Sequence, residues 1–182
     1  MNIGEATQAH MDARYPSGEP ISAATTDRGR IARMNALEKA HGGPRGAASA
    51  VGVSRETWRR WRLTGRDPRT GKPRQKPGAA GLNKLAGAAG QIYRAAQARR
   101  AQQGLARARG VRMTGIIRWD GYLNKIPQRT VRVADQMDLS SLYGPWERGD
   151  LLALGEAFEA AVGLEHSASI QVEGDEAEVS WT

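Results

Sequence analysis

Cysteine is absent from this 182-residue chain, and its three histidines, His10, His41 and His166, stand far apart. A disulfide framework and a thiolate zinc site are therefore excluded, and no metal-ligand spacing is present. Long apolar runs are missing too: no stretch approaches the roughly 20 residues of a membrane span, and Met1–Glu19 lacks the charged start and apolar core of a signal peptide. The expectation is a cytoplasmic, nucleoid-associated protein without metal, other cofactor or membrane partner. Clustered acids, or a nucleophile paired with a base, are also lacking among the basic residues, so catalysis is not expected.

What is abundant is positive charge, and it is unevenly placed. Met1–Asp27 carries 1 base and 4 acids, Arg28–Arg129 carries 24 bases and 4 acids, and Thr130–Thr182 carries 2 bases and 11 acids. The central segment attracts a polyanion while the acidic end is repelled by one, so the two ends have different tasks. Arginine heavily outnumbers lysine, and its planar fork suits phosphates and base edges.

The pattern along the chain predicts an α+β protein: an N-terminal helical helix-turn-helix domain, a long basic linking helix, and a small C-terminal α+β domain with antiparallel hairpins. Residues 1–25 read as a flexible arm, 26–65 as the helix-turn-helix domain, 66–81 as a basic Pro/Gly linker, 82–110 as the long helix and 111–182 as the α+β unit. The helix after Thr26-Asp27 carries Ile31, Met34, Leu37 and Glu38 at helical spacing and stops at Gly42-Gly43; Pro44 opens the next. Leu82, Leu85, Ala89, Ile92 and Ala96 mark the long amphipathic helix. One hairpin is expected from Met113–Trp119 and Gln128–Val133, with Asp120-Gly121 as a turn signal. A second is expected from Ser169–Val172 and Ala177–Trp181 across Glu173–Glu176. Leu139–Tyr143 predicts a helical turn, and Asp150–Val162 a helix with Leu151, Leu154, Phe158 and Val162 on one face.

The most specific signal is AASAVGVSRETWRRW, beginning at Ala47. Ala48 is small where two helices cross, Gly52 permits a left-handed turn, Val53 fills the corner and Ser54 caps the next helix, with Glu56 near its positive end. Trp58 and Trp61 face inward, while Arg55, Arg59 and Arg62 form the opposite stripe. Arg55, Glu56 and Arg59 are candidates for base edges, and Arg60 and Arg62 for phosphates. Arg66, Arg69, Lys72, Arg74 and Lys76 follow as an arm that reads equally as solvated linker or as a groove-tracking element.

This order of elements, with GVSRETWRRW, KPRQKPG, ARARGVRMTGII and RTVRVA, resembles the telomere terminal proteins of Streptomyces-type linear chromosomes and plasmids. The resemblance runs from about Thr26 to the C-terminus. The N-terminal arm, the loop Asp120–Gln128 and the acidic tail depart from it. It implies a protein that binds the ends of a linear replicon, duplex or single-stranded, and offers a side-chain hydroxyl to which a DNA polymerase joins the first deoxynucleotide. The position that matches is Thr114, flanked in sequence by Arg107, Arg109, Arg112 and Arg118, with Gly110 and Gly115 beside it; catalytic metal ions would come with the polymerase. Read without the resemblance, Thr114 is an ordinary β-branched residue at a strand start. The implied partners are DNA, the polymerase, a telomere-associated recruiting protein and a second copy of the chain; the acidic end reads either as a dock for the recruiter or the polymerase or as a domain that folds over the chain's own basic helix. The competing reading is a helix-turn-helix regulator of transcription or plasmid replication that dimerises on a palindromic operator.

Overall fold

The computed structural model describes residues 2–74, 76–108, 111–119, 122–124, 138–166 and 170–181, with side chains described outside 112, 114–119, 122–124 and 164–177. Helices predominate: α1 (Ile3–Arg14), α2 (Asp27–Ala40), α3 (Pro44–Val51), α4 (Arg55–Arg62), α5 (Ala79–Leu105), α6 (Tyr143–Arg148) and α7 (Leu151–His166), with a 3-10 turn at Ser140–Leu142. Strands β1 (Val111–Trp119), β2 (Tyr122–Asn124) and β3 (Ile170–Trp181) form an antiparallel sheet in the order β2-β1-β3. Among the described residues no helix is long and apolar enough to cross a membrane.

The chain divides into two compact units, one of Met1–Pro16 with Ala98–Thr182 and one of Ser17–Gln97. In the second unit, Met34 and Leu37 of α2, Ala47, Ala48 and Val51 of α3, Trp58 of α4, and Leu85 and Ala89 of α5 form one buried core. The small residues of α3 let α2 and α4 approach over it. Gly81 marks where α5 joins: a Cβ there would lie 2.7 Å from the Trp61 ring, so α5 meets α4 at van der Waals contact with no room for a methyl.

The other unit corrects the expected loose N-terminal arm, because Ile3–Arg14 is a helix built into its core. Asn2 and Glu5 form a reciprocal capping box, each side chain accepting from the other's backbone N–H at 2.9 Å. Two of the four free N–H groups at the helix start are thereby satisfied. Gly4 packs directly on the Leu151 carbonyl of α7, and Met11 and Tyr15 enter a core with Leu105, Met113, Leu154, Phe158 and Trp181. Trp146 of α6 donates its indole N–H to Asp12 at 2.9 Å.

The sheet also differs from the expected pair of hairpins. β1 pairs with Tyr122–Asn124, Trp119 opposite Tyr122, so its partner strand begins sooner in the chain than the one expected; Asp120 and Gly121 lie outside the described residues. The expected partner strand Gln128–Val133 lies outside the described residues. Ser169–Trp181 is not a hairpin: Ile170–Trp181 is one strand paired along β1. Between the pairs Thr114–Glu178 and Ile116–Glu173 the register shifts, so Gly174–Ala177 lies opposite Gly115 alone. The turn-forming sequence is accommodated as an irregularity within a strand instead of as a reversal, since β1 is long enough to pair on both sides of it.

His10 joins α1 to the sheet. Its ring stands edge-on to Trp181, centroids 4.2 Å apart, and its Nε2 accepts the Trp181 backbone N–H at 3.3 Å. Burial, and next the charge of Arg14, hold its pKa below the ordinary value. A folded-state pKa below the unfolded one contributes stability that is complete above the unfolded pKa, about 6.5, and lost as pH falls through the folded value. Thermal melts followed by tryptophan fluorescence should show a midpoint that declines below about pH 6.5, more steeply than in His10→Gln; equal slopes in the two proteins would contradict this.

Candidate nucleic-acid interface

The segment between α3 and α4 is set by three residues. α3 ends where Gly52 takes φ +69°, and the N–H of Val53 returns to the Ala48 carbonyl at 3.0 Å. Ser54, extended at φ −69° and ψ 153°, then accepts the N–H of Thr57 at 3.0 Å and caps α4. A β-carbon at position 52 would strain the left-handed backbone, and loss of a cap of this kind costs about 1 kcal/mol.

α4 is held on its inner face by two tryptophans. Trp58 is fully buried, and Trp61 packs partly buried 6.5 Å from it, centroid to centroid. The outer face carries Arg55, Arg59 and Arg60, all exposed. Glu56 approaches Arg59 and Arg60 at 3.8 and 3.9 Å, but these pairs are solvated and hold neither guanidinium firmly. Arg55 has no ion-pair partner among the described residues. An open depression lined by Pro44, Arg55, Glu56, Trp58, Arg59 and Arg62 runs between this face and the start of α3.

Arg62, expected at a phosphate, is engaged within the protein. Its guanidinium pairs with the Glu38 carboxylate and donates to Asn35 Oδ1 at 2.8 Å, both on α2. Glu38 also accepts the Trp58 indole N–H at 2.8 Å, so one carboxylate, 17 % exposed, receives donors from two successive turns of α4. Arg30, buried in α2, reaches the other end of the same helix. Its Nε donates to the Trp61 carbonyl at 2.8 Å and Nη2 to that of Leu63 at 3.4 Å, supplying donors to carbonyls that a helix C-terminus leaves free. Arg30 Nη1 pairs with Asp27 at 2.8 Å, and Lys76 Nζ reaches the same carboxylate at 3.2 Å. Hydrogen bonds from Arg30 and then Lys76 hold the Asp27 carboxyl below its ordinary pKa. Sequence periodicity placed Glu38 on the apolar face without a role; an acid on that face, with an indole N–H to satisfy, was the available signal. Arg30, Arg33 and Asn35 were not singled out by sequence.

The arm is folded. Arg66 and Pro73 form an antiparallel bridge, the N–H of Asp67 meets the Lys72 carbonyl at 2.8 Å, and the N–H of Arg74 meets that of Gly65 at 3.0 Å. The Asp67 carboxylate accepts the backbone N–H groups of Arg69 and Thr70, and Gly71 closes the turn at φ +66°. Arg66 donates to the Gly71 carbonyl and Arg74 lies 4.0 Å from Asp67. Of the five arm bases, only Arg69 and Lys72 are exposed with no side-chain partner among the described residues.

The positions around the expected priming hydroxyl are separate from α4 and fall in the other unit. Arg107 is exposed just past α5, while Arg109 and Gly110 lie outside the described residues. Arg112, Thr114, Gly115 and Arg118 are positions of β1, the central strand, and the side chains of the first two and of Arg118 lie outside the described ones. Thr114 pairs with Glu178 immediately before the register shift. Its backbone is therefore tied into a ladder.

Compared with protein-family models, curated proteins and solved structures, the chain matches none.

Two stability effects follow from these contacts. Arg30→Met, which leaves the Trp61 and Leu63 carbonyls without their donor, should cost about 2–3 kcal/mol in urea unfolding followed by tryptophan emission; a change under about 0.5 kcal/mol would contradict the capping role. Glu38→Gln and Arg62→Gln should each destabilise, and the double variant should lose less than the two combined, because both remove one interaction. Strict additivity in that cycle would show that the pair is not coupled.

Proposed function

We propose that the chain is a DNA-binding protein whose α2–α4 segment is a helix-turn-helix that lays α4 in the major groove. The observation that carries this reading is the pairing of a capped, tryptophan-anchored helix with an exposed outer face of Arg55, Arg59 and Arg60, the last two held only by solvated pairs with Glu56. A recognition helix must be held rigidly from behind while its outer side chains stay free to meet base edges and phosphates. Arg55 and Arg59, one turn apart near the start of α4, suit guanine edges, and Arg60 suits the phosphate beside them.

We further propose that this binding serves the ends of a linear replicon, with Thr114 as the hydroxyl that a partner polymerase uses to start a strand. The support is the likeness to terminal proteins in the ordered segments GVSRETWRRW, KPRQKPG and ARARGVRMTGII. In that step the threonine oxygen attacks the α-phosphorus of a deoxynucleoside triphosphate, pyrophosphate leaves, and the hydroxyl proton passes to solvent or to a base of the polymerase. The chain is then a substrate of the reaction, and the polymerase is the catalyst.

Two measurements test the levels separately. Arg55→Gln/Arg59→Gln should weaken duplex binding at least tenfold in a mobility-shift titration while leaving the melting temperature unchanged; binding as tight as that of the parent removes α4 as the contact. Incubation with labelled deoxynucleotides, an end-sequence template and host extract should give label that survives denaturation and is lost in Thr114→Ala. No covalent label, together with tight binding to a palindromic duplex as a dimer, identifies a regulator instead.

A further inference from the structure

The folded loop that follows α4 has no task in the helix-turn-helix reading. Its internal hydrogen bonds differ from what an unstructured basic tail would make. Asp67 organises the turn from within, Arg66 and Arg74 brace it, and Lys76 fastens its base to Asp27 at the start of α2. Asp27 is also bound by Arg30, which holds the end of α4, so the loop is fixed to the helix it follows through a chain of ion pairs and hydrogen bonds. Three of five bases are thus consumed in making the loop, and the two left over, Arg69 and Lys72, are presented at its exposed tip.

We propose that the loop Gly65–Arg74 is a second, preformed contact to the same DNA duplex, in which Arg69 and Lys72 bind phosphates of the backbone bordering the groove that α4 occupies. The inference rests on the proposed binding of α4. Eight residues of helix span about 12 Å, comparable to the width of the major groove, and the N-terminal residues of a recognition helix are the ones that meet base edges. A loop attached at the opposite end of α4 leaves the base edges behind and meets the sugar-phosphate backbone. The tip lies some three residues beyond the Arg66–Pro73 bridge, which gives it a reach of roughly 10 Å. Because the turn is already closed by the Asp67 carboxylate and Gly71, binding does not have to order a free segment, so little affinity is lost to chain entropy. Arg69 and Lys72 carry no base-reading geometry of their own, and their contribution is therefore blind to sequence.

The test is salt-dependent duplex binding by the full chain. Arg69→Gln/Lys72→Gln should lower affinity about tenfold on specific and unrelated duplexes alike, and should flatten the slope of log K against log salt by about 1.8, or 0.9 for each phosphate. Arg69→Lys/Lys72→Arg, which keeps both charges, should restore slope and affinity. Both residues are exposed and have no side-chain partner among the described residues, so these variants leave the fold intact. Asp67→Ala, which opens the turn without removing a base, should weaken binding as well. Unchanged affinity and slope in the Gln pair, while Arg55→Gln/Arg59→Gln abolishes binding, overturns the loop contact and leaves the role of α4 standing. No duplex binding by the parent chain instead overturns the reading on which the loop depends. Loss confined to vesicles of anionic lipid assigns the loop to a different surface and also overturns the proposal.

Discussion

A guanidinium that sequence statistics would leave in water governs the geometry of the helical unit. Arg30 is buried, which for arginine requires that its donors be spent, and they are spent on the end of α4 and on Asp27. The helix dipole leaves negative potential at the C-terminus of α4, and a delocalised cation answers it better than a neutral donor would. Because Asp27 also takes Lys76, one cluster fixes three things: where α2 begins, where α4 ends, and where the basic loop is anchored. Glu38 completes the arrangement from the last turn of α2, and the outer arginines of α4 acquire a fixed direction as a result.

Local chemistry made part of this legible. Pro44, Gly52 and Ser54 act on their own backbone neighbours, and the bounds of α3 and the start of α4 follow from them alone. The helix of Ile3–Arg14 gave little apolar periodicity because Met11 is the one large apolar side chain of its buried face, the others being Gly4, Ala6 and Thr7, although Asn2 and Glu5 spelled out a capping box. In the loop after α4, proline, glycine and bases suggested a linker by composition, whereas the spacing of Asp67 and Gly71 is that of a closed turn. β3 was misread for the reverse reason: Glu173–Glu176 has turn composition, yet β1 offers a partner on both sides of it.

Charge was read correctly in amount and less well in assignment. Arg30, Arg33, Arg62, Arg66, Arg74 and Lys76 all count toward the basic centre of the chain, and each is engaged within the protein. Arg33 illustrates the pattern: it is buried, donates to the Ser22 and Gly29 carbonyls, and pairs with Glu19. Such arginines shape the surface that the remaining bases occupy. A count of positive residues therefore overstates the number of bases left free on the surface.

The division of the chain has a consequence for how it is made. Residues 17–97 form a unit complete in itself, whereas the other unit joins Met1–Pro16 to segments that begin at Ala98 and end with β3. During synthesis α1 emerges long before α7 and β3, against which most of it packs and which follow more than 130 residues later. The helical unit is able to close as soon as α5 emerges, with contacts that are close in sequence and therefore quick to form. The order of maturation is thus the reverse of the order of the ends: the inserted unit folds while its host is still waiting for its last strand.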